Sequence, residues 1–115
     1  VFTAPLDGTI LPGITRNTVI EMLREQGVTV HEARVSLDEV RAAQRRGDLR
    51  EIFGTGTAAV VSPVGTLGFE DGDMLVADGE PGDLSTRIRE QLIGVQRGRE
   101  PDPKRWMVPV EPWPE

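Results

Sequence analysis

The sequence predicts an α/β chain in which helices are mixed with short strands, and three observations carry that reading. Apolar residues recur at helical spacing around Val19–Leu23 and again around Ile88–Val95. Between them, Phe53–Val64 is rich in β-branched and small residues without polar alternation, the pattern of strands covered on both faces. Gly27 and Gly47 stand where two helical patterns end, as left-handed stops. With 115 residues, 37% hydrophobic and 4% aromatic, the chain allows one compact domain with a modest core.

Element by element, Val1–Ala4 reads as the end of a strand, so the chain is expected to begin inside a fold. Residues 6–13 form a turn-rich loop with Asp7–Gly8 as a tight turn, and Thr15 or Asn17 then offers a side-chain oxygen at a helix start. Val19, Ile20, Met22 and Leu23 form that helix's inner stripe, with Glu21 and Arg24 facing outward. Val28–Val35 alternates, which predicts a strand with at most one strongly apolar face. Ser36 and Glu39 have capping-box spacing, and Leu37, Val40 and Ala43 give the inner stripe of a short helix.

Residues 51–54 and 57–64 predict two short buried strands interrupted by Gly54-Thr55-Gly56, with 65–69 extending the second and Gly68 at a turn or bulge. Glu70–Asp73 is a hairpin-like turn, Met74–Val76 a further strand, and 79–82 a loop. A final helix from about Ser85 to Gln96 buries Leu84, Ile88, Leu92 and Val95. Five of the nine prolines fall in the last fifteen residues, so the tail from Pro101 is extended rather than helical.

Composition narrows the function. A net charge of -6 argues against a nucleic-acid partner, because a duplex binder needs a positive surface to displace counterions. The absence of cysteine removes thiol nucleophiles, thiolate metal sites and disulfides. No apolar run spans a membrane, and no signal-peptide pattern opens the chain. The sole histidine, His31, has no carboxylate cluster at ligand spacing, so no metal is expected. Glu70, Asp71 and Asp73 read as a solvated turn, and Arg41, Arg45, Arg46 and Arg50 as a solvated helix face and exit. Trp106 and Trp113 either cover a core edge or form a partner patch.

Chemistry concentrates in two segments that hold anions. In Phe53-Gly54-Thr55-Gly56-Thr57-Ala58-Ala59, glycines let the main chain approach a ligand, Thr57 offers a hydroxyl donor, and Ala58 and Ala59 offer N–H groups on a flat lining. In Leu11-Pro12-Gly13-Ile14-Thr15-Arg16, a turn feeds a helix whose free N–H groups and dipole favour a negative charge. Alone, the first segment is as readily a glycine-rich bend in a buried strand, and the second is more simply a well-formed helix entry; together they point to a phosphate or carboxylate ligand.

LPGITR, FGTGTAAVVSPVG and the late LIGVQRG followed by Trp106 resemble the C-terminal part of branched-chain amino acid aminotransferases. These are class IV pyridoxal-phosphate enzymes with the D-amino acid transaminase fold, and the similarity runs from about Leu6 to Trp106. The resemblance implies a mixed sheet or pseudo-barrel with flanking helices, residues 1–100 being a cofactor-phosphate-binding part of the large domain and 101–115 a proline-rich tail. It implies phosphate contacts from Gly13, Ile14, Thr15, Gly56 and Thr57, and a substrate carboxylate received by Ala58 and Ala59. The implied reaction moves an amino group from leucine, isoleucine or valine to 2-oxoglutarate in a cytoplasmic homo-oligomer, with no nucleic-acid or membrane partner.

The chain also departs from the family. Its only lysine, Lys104, matches no catalytic position, so the family's Schiff-base lysine is expected outside this sequence and the chain alone is expected to be inactive. A cut sheet predicts exposed edges and self-association. Other readings of the same residues are a D-amino acid transaminase, an aminodeoxychorismate lyase, or a noncatalytic binding module.

Overall fold

A computed structural model describes residues 1–115. The strand β1 (Phe2–Thr3) is followed by α1 (Ile14–Glu25), β2 (His31–Glu32) and α2 (Leu37–Arg46). Four strands then come in pairs, β3 (Phe53–Gly56) with β4 (Val60–Pro63) and β5 (Thr66–Phe69) with β6 (Gly72–Leu75), before α3 (Asp83–Gln96). The mixed α/β class is as predicted. β1 and β2 pair in parallel, Phe2 beside His31, while the other two pairs are antiparallel hairpins with Gly56 opposite Val60 and Phe69 opposite Gly72. No helix is long and apolar enough to cross a membrane.

The core lies where α1, α3 and the β3–β4 hairpin meet. Val19, Ile20, Met22 and Leu23 of α1, Ile88 and Leu92 of α3, Val61 of β4 and Val30 form one buried cluster. Val95 is also buried, so α1 and α3 bury the residues their periodicity marks out, except Leu84, which is half-buried against the cluster. Full burial of side chains such as Leu23 and Ile88 is worth about 1.5–3 kcal/mol each. The helices thereby hold both strands of the hairpin, α1 against β3 and α3 against β4. Trp106 packs on the same cluster and covers its edge, whereas Trp113 is exposed. Asp102 sets this up, its carboxylate accepting from the amides of Trp106 at 3.0 Å and Met107 at 2.8 Å.

Several expectations are corrected. Neither Thr15 nor Asn17 caps α1: the N-cap is Gly13, with no side-chain hydrogen bond, and the Asn17 amide donates to Glu21 instead. The alternating stretch 28–35 pairs only at His31 and Glu32, because β1 offers two residues to pair with. Helix α2 has the predicted capping box, Ser36 with Glu39, and ends at Gly47 with φ 76°, but buries no residue fully and leaves Leu37 exposed. It is held instead by charge: Arg41 donates to Asp71 at 2.7 Å and lies 4.4 Å above the Phe69 ring.

Gly54-Thr55-Gly56 does not interrupt a strand; it lies within β3, and the turn is Thr57-Ala58-Ala59. The hairpin is also less buried than predicted, with only Val61 inside, since no second layer of this chain covers its other face. Residues 66–69 form a separate strand rather than extending β4, and Gly68 pairs with Asp73 in mid-strand. The strand expected at Met74–Val76 starts earlier, at Gly72, and stops at Leu75.

Candidate functional site

The hairpin presents its turn outward. Thr57, Ala58 and Ala59 are exposed, and none of their three amide N–H groups donates a hydrogen bond within the chain. A Cβ built at Gly54 or Gly56 would meet nothing within 4 Å, so the chain's own packing does not require glycine at either position. The space beside β3 is open to a ligand approaching the main chain.

Helix α1 opens in the same way. Its amide ladder begins with Asn17 donating to Gly13 at 3.1 Å, which leaves the N–H groups of Ile14, Thr15 and Arg16 without partners. No acidic residue lies in its first turn, so the positive end of the helix dipole is uncompensated. The Arg16 side chain turns away from these amides, donating to the Ala4 carbonyl and to Glu32 at 2.9 Å each and tying the first turn to β1 and β2. Its Nε is buried without a partner. The Arg16 hydrogen bond holds the Glu32 carboxyl below the usual carboxylate range. A groove of about 230 Å³ beside this turn is lined by Ile14, Thr15, Thr18, Leu92, Val95 and Trp106, among others.

The structure therefore gathers the sequence-identified residues into two groups on packed neighbours: Gly13, Ile14 and Thr15 at the start of α1, and Gly56, Thr57, Ala58 and Ala59 at the tip of the hairpin whose β3 strand α1 packs against. Three consecutive free amides at each, one set strengthened by a helix dipole, fit small anions such as a phosphate ester and a carboxylate.

Sequence reasoning passed over two residues that shape the ends of the hairpin strands. Glu51 accepts from the amides of Leu84 at 3.0 Å and Ser85 at 3.3 Å, so a carboxylate at the foot of β3 closes the start of α3. A Cβ at Gly82 would overlap that carboxylate, so any side chain there would displace Glu51 from the α3 amides. Glu51 and Leu84 lie 33 residues apart, and no local spacing rule reaches so far. The second is Val60, whose φ of 57° places a β-branched residue in the left-handed region at a cost of about 1–2 kcal/mol. Short hairpin loops ordinarily carry glycine at such a position, so sequence alone had no reason to expect it.

Other candidates have structural partners. His31 stacks on Phe2 with ring centroids 4.9 Å apart. Lys104 pairs with Glu25 and Glu21 on α1, and the Glu25 contact raises its pKa. Asp71 pairs with Arg41, and no group of potential metal ligands is present.

These free amides are the geometry the two segments share, and comparison with known proteins gives the family of the chain. The sequence pattern of amino-transferase class IV matches residues 1–67, more than half the chain, and the chain belongs to that family. It is 48% identical over 108 residues to branched-chain-amino-acid transaminase 1 of Bacillus subtilis (strain 168), covering 94% of this chain and 30% of that protein. Among solved structures it is similar to the Escherichia coli branched-chain amino acid aminotransferase, with TM-score 0.74 and 33% identity over 91% of this chain and 31% of the other. The T.th. branched-chain amino acid aminotransferase complexed with N-(5'-phosphopyridoxyl)-L-glutamate matches with TM-score 0.67 and 30% identity, over 85% of this chain and 30% of that one. The chain thus spans under a third of the length of these relatives.

Proposed function

We propose that this chain supplies the phosphate-binding and carboxylate-binding part of a pyridoxal-phosphate-dependent branched-chain amino acid aminotransferase. The amino donors are leucine, isoleucine or valine, and the acceptor is 2-oxoglutarate. One observation carries the reading: two sets of three unpartnered amides, at Ile14–Arg16 and Thr57–Ala59, on elements packed against each other. The names of the relatives support the substrate class, and the complex of the T.th. enzyme with phosphopyridoxyl-glutamate supports both the cofactor and the five-carbon acid.

The amides that start α1, with Gly13 leading into them, receive the cofactor phosphate from one side, and Thr57 with the main chain at Gly56 receives it from the other. Dipole and amides act together there on a doubly charged group, where hydrogen bonds to an ionised acceptor are strongest. Ala58 and Ala59 turn their N–H groups to the substrate carboxylate, and their small side chains leave room for it. When bound, pyridoxal phosphate supplies the electron sink of the amino-group transfer. This chain's part is to orient the reactants, while Lys104, paired with carboxylates of α1, takes no part in the chemistry.

The test is cofactor affinity in the full-length protein. Thr57→Val removes the hydroxyl at nearly constant volume, and equilibrium dialysis should show the Kd for pyridoxal phosphate rising about tenfold. An unchanged Kd contradicts the assignment. The 115-residue chain by itself, mixed with cofactor, leucine and 2-oxoglutarate, should give no turnover.

A further inference from the structure

Val60 occupies a position in which backbone and side chain pull against each other. Its φ of 57° lies in the region that β-branched residues avoid most, yet it is the residue immediately after the three free amides of Thr57–Ala59. Its side chain is half-buried and packs against the core cluster of α1, α3 and β4. On one side it pairs across the hairpin with Gly56, and on the other it is joined to Val61, which is 1% exposed. A strained residue persists only where its surroundings over-determine its conformation. Here they do so from three directions, and the element thereby immobilised is the turn.

We propose that Val60 is a positioning residue for the substrate carboxylate. By packing on the core it locks the left-handed kink that ends the turn, and so holds the exposed Ala58 and Ala59 N–H groups in one orientation. Glycine would adopt the same φ without strain, but would leave the turn free to sample others. The inference rests on the reading of that turn as the carboxylate site.

The experiment uses the full-length protein loaded with pyridoxal phosphate and titrates 4-methylpentanoate, which has the carbon skeleton and carboxylate of leucine without its amine. In Val60→Gly the Kd for 4-methylpentanoate should rise about tenfold while the melting temperature stays within about 3 °C of the parent. Val60→Ile, which keeps the branch and the packing, should bind within about twofold of the parent. If the glycine variant does not fold, Val60→Ala carries the same expectation of weakened binding. Unchanged affinity in the glycine or alanine variant, or equal loss in the isoleucine variant, overturns the role of Val60. The Thr57→Val measurement separates the two ideas: lost cofactor affinity there, with unchanged 4-methylpentanoate binding in Val60→Gly, overturns only the positioning role.

Discussion

Helices α1 and α3 start on the same device and put it to opposite uses. Each begins after a glycine in extended backbone, Gly13 at φ -67° and ψ 138° and Gly82 at φ -81° and ψ 162°, and neither glycine has a side chain to cap the amides that follow. At α3 those amides are taken by Glu51, and Asp83 adds a negative charge to the first turn. At α1 no side chain accepts from them and no acid sits in the first turn. Helix α2 sides with α3, closed by its Ser36–Glu39 box. A closed start is a structural joint, and the open one leaves its amides free, as the proposed phosphate site requires. The difference between them is the negative charge, Glu51 on the amides and Asp83 in the first turn, that the chain supplies at α3 and does not supply at α1.

Opening the closed end should have the largest effect. In the full-length protein, Glu51→Ala strips the Leu84 and Ser85 amides of their acceptor and frees the foot of β3 from α3, at an expected cost of about 2–3 kcal/mol by urea denaturation. A loss below about 0.5 kcal/mol would mean that α3 does not depend on this cap. Ser36→Ala opens α2 more gently, because that helix buries nothing fully, and about 1 kcal/mol is expected with cofactor affinity unchanged. A change in cofactor binding there would blur the distinction between structural and ligand-binding helix starts.

Acid titration should have the smallest effect. Hydrogen bonds from Thr9, Arg16, Ser36 and Arg41 lower the pKa values of Asp7, Glu32, Glu39 and Asp71 respectively. A lowered folded-state pKa contributes stability that is fully present above the unfolded carboxylate range of about 4 and is lost as pH falls through the folded values. All four groups face solvent, so the expected result is a shallow decline in melting temperature below about pH 4.5 rather than a sharp transition. Replacing Glu39 by glutamine should remove its share of that slope, whereas Ser36→Ala should leave most of it, because the main donor to Glu39 is the backbone amide of Ser36.

What the sequence made legible follows the range of the interactions involved. The stripes of α1 and α3, the Ser36–Glu39 box and the Gly47 stop depend on residues a few positions apart, and all could be read directly. The two segments proposed to hold anions could be singled out for the same reason, since small residues and a glycine-led helix start are local patterns. Strand limits were not, because β2 is as short as the β1 partner it pairs with, and the turn at Thr57–Ala59 is set by the pairing of Gly56 with Val60. Glu51 was hidden by sequence distance. Val60 was hidden because its conformation runs against its own preference, and that conflict becomes visible only when the core is assembled around it.

The central claim, that the open start of α1 holds the cofactor phosphate, is tested most directly by Ile14→Pro in the full-length protein. Proline is tolerated at the first helical position, and Gly13 already has the extended backbone that a following proline requires, so the variant deletes one amide donor and leaves the helix intact. The account predicts a Kd for pyridoxal phosphate raised about tenfold with helix content by circular dichroism unchanged. Parental cofactor affinity in a correctly folded Ile14→Pro protein would contradict it.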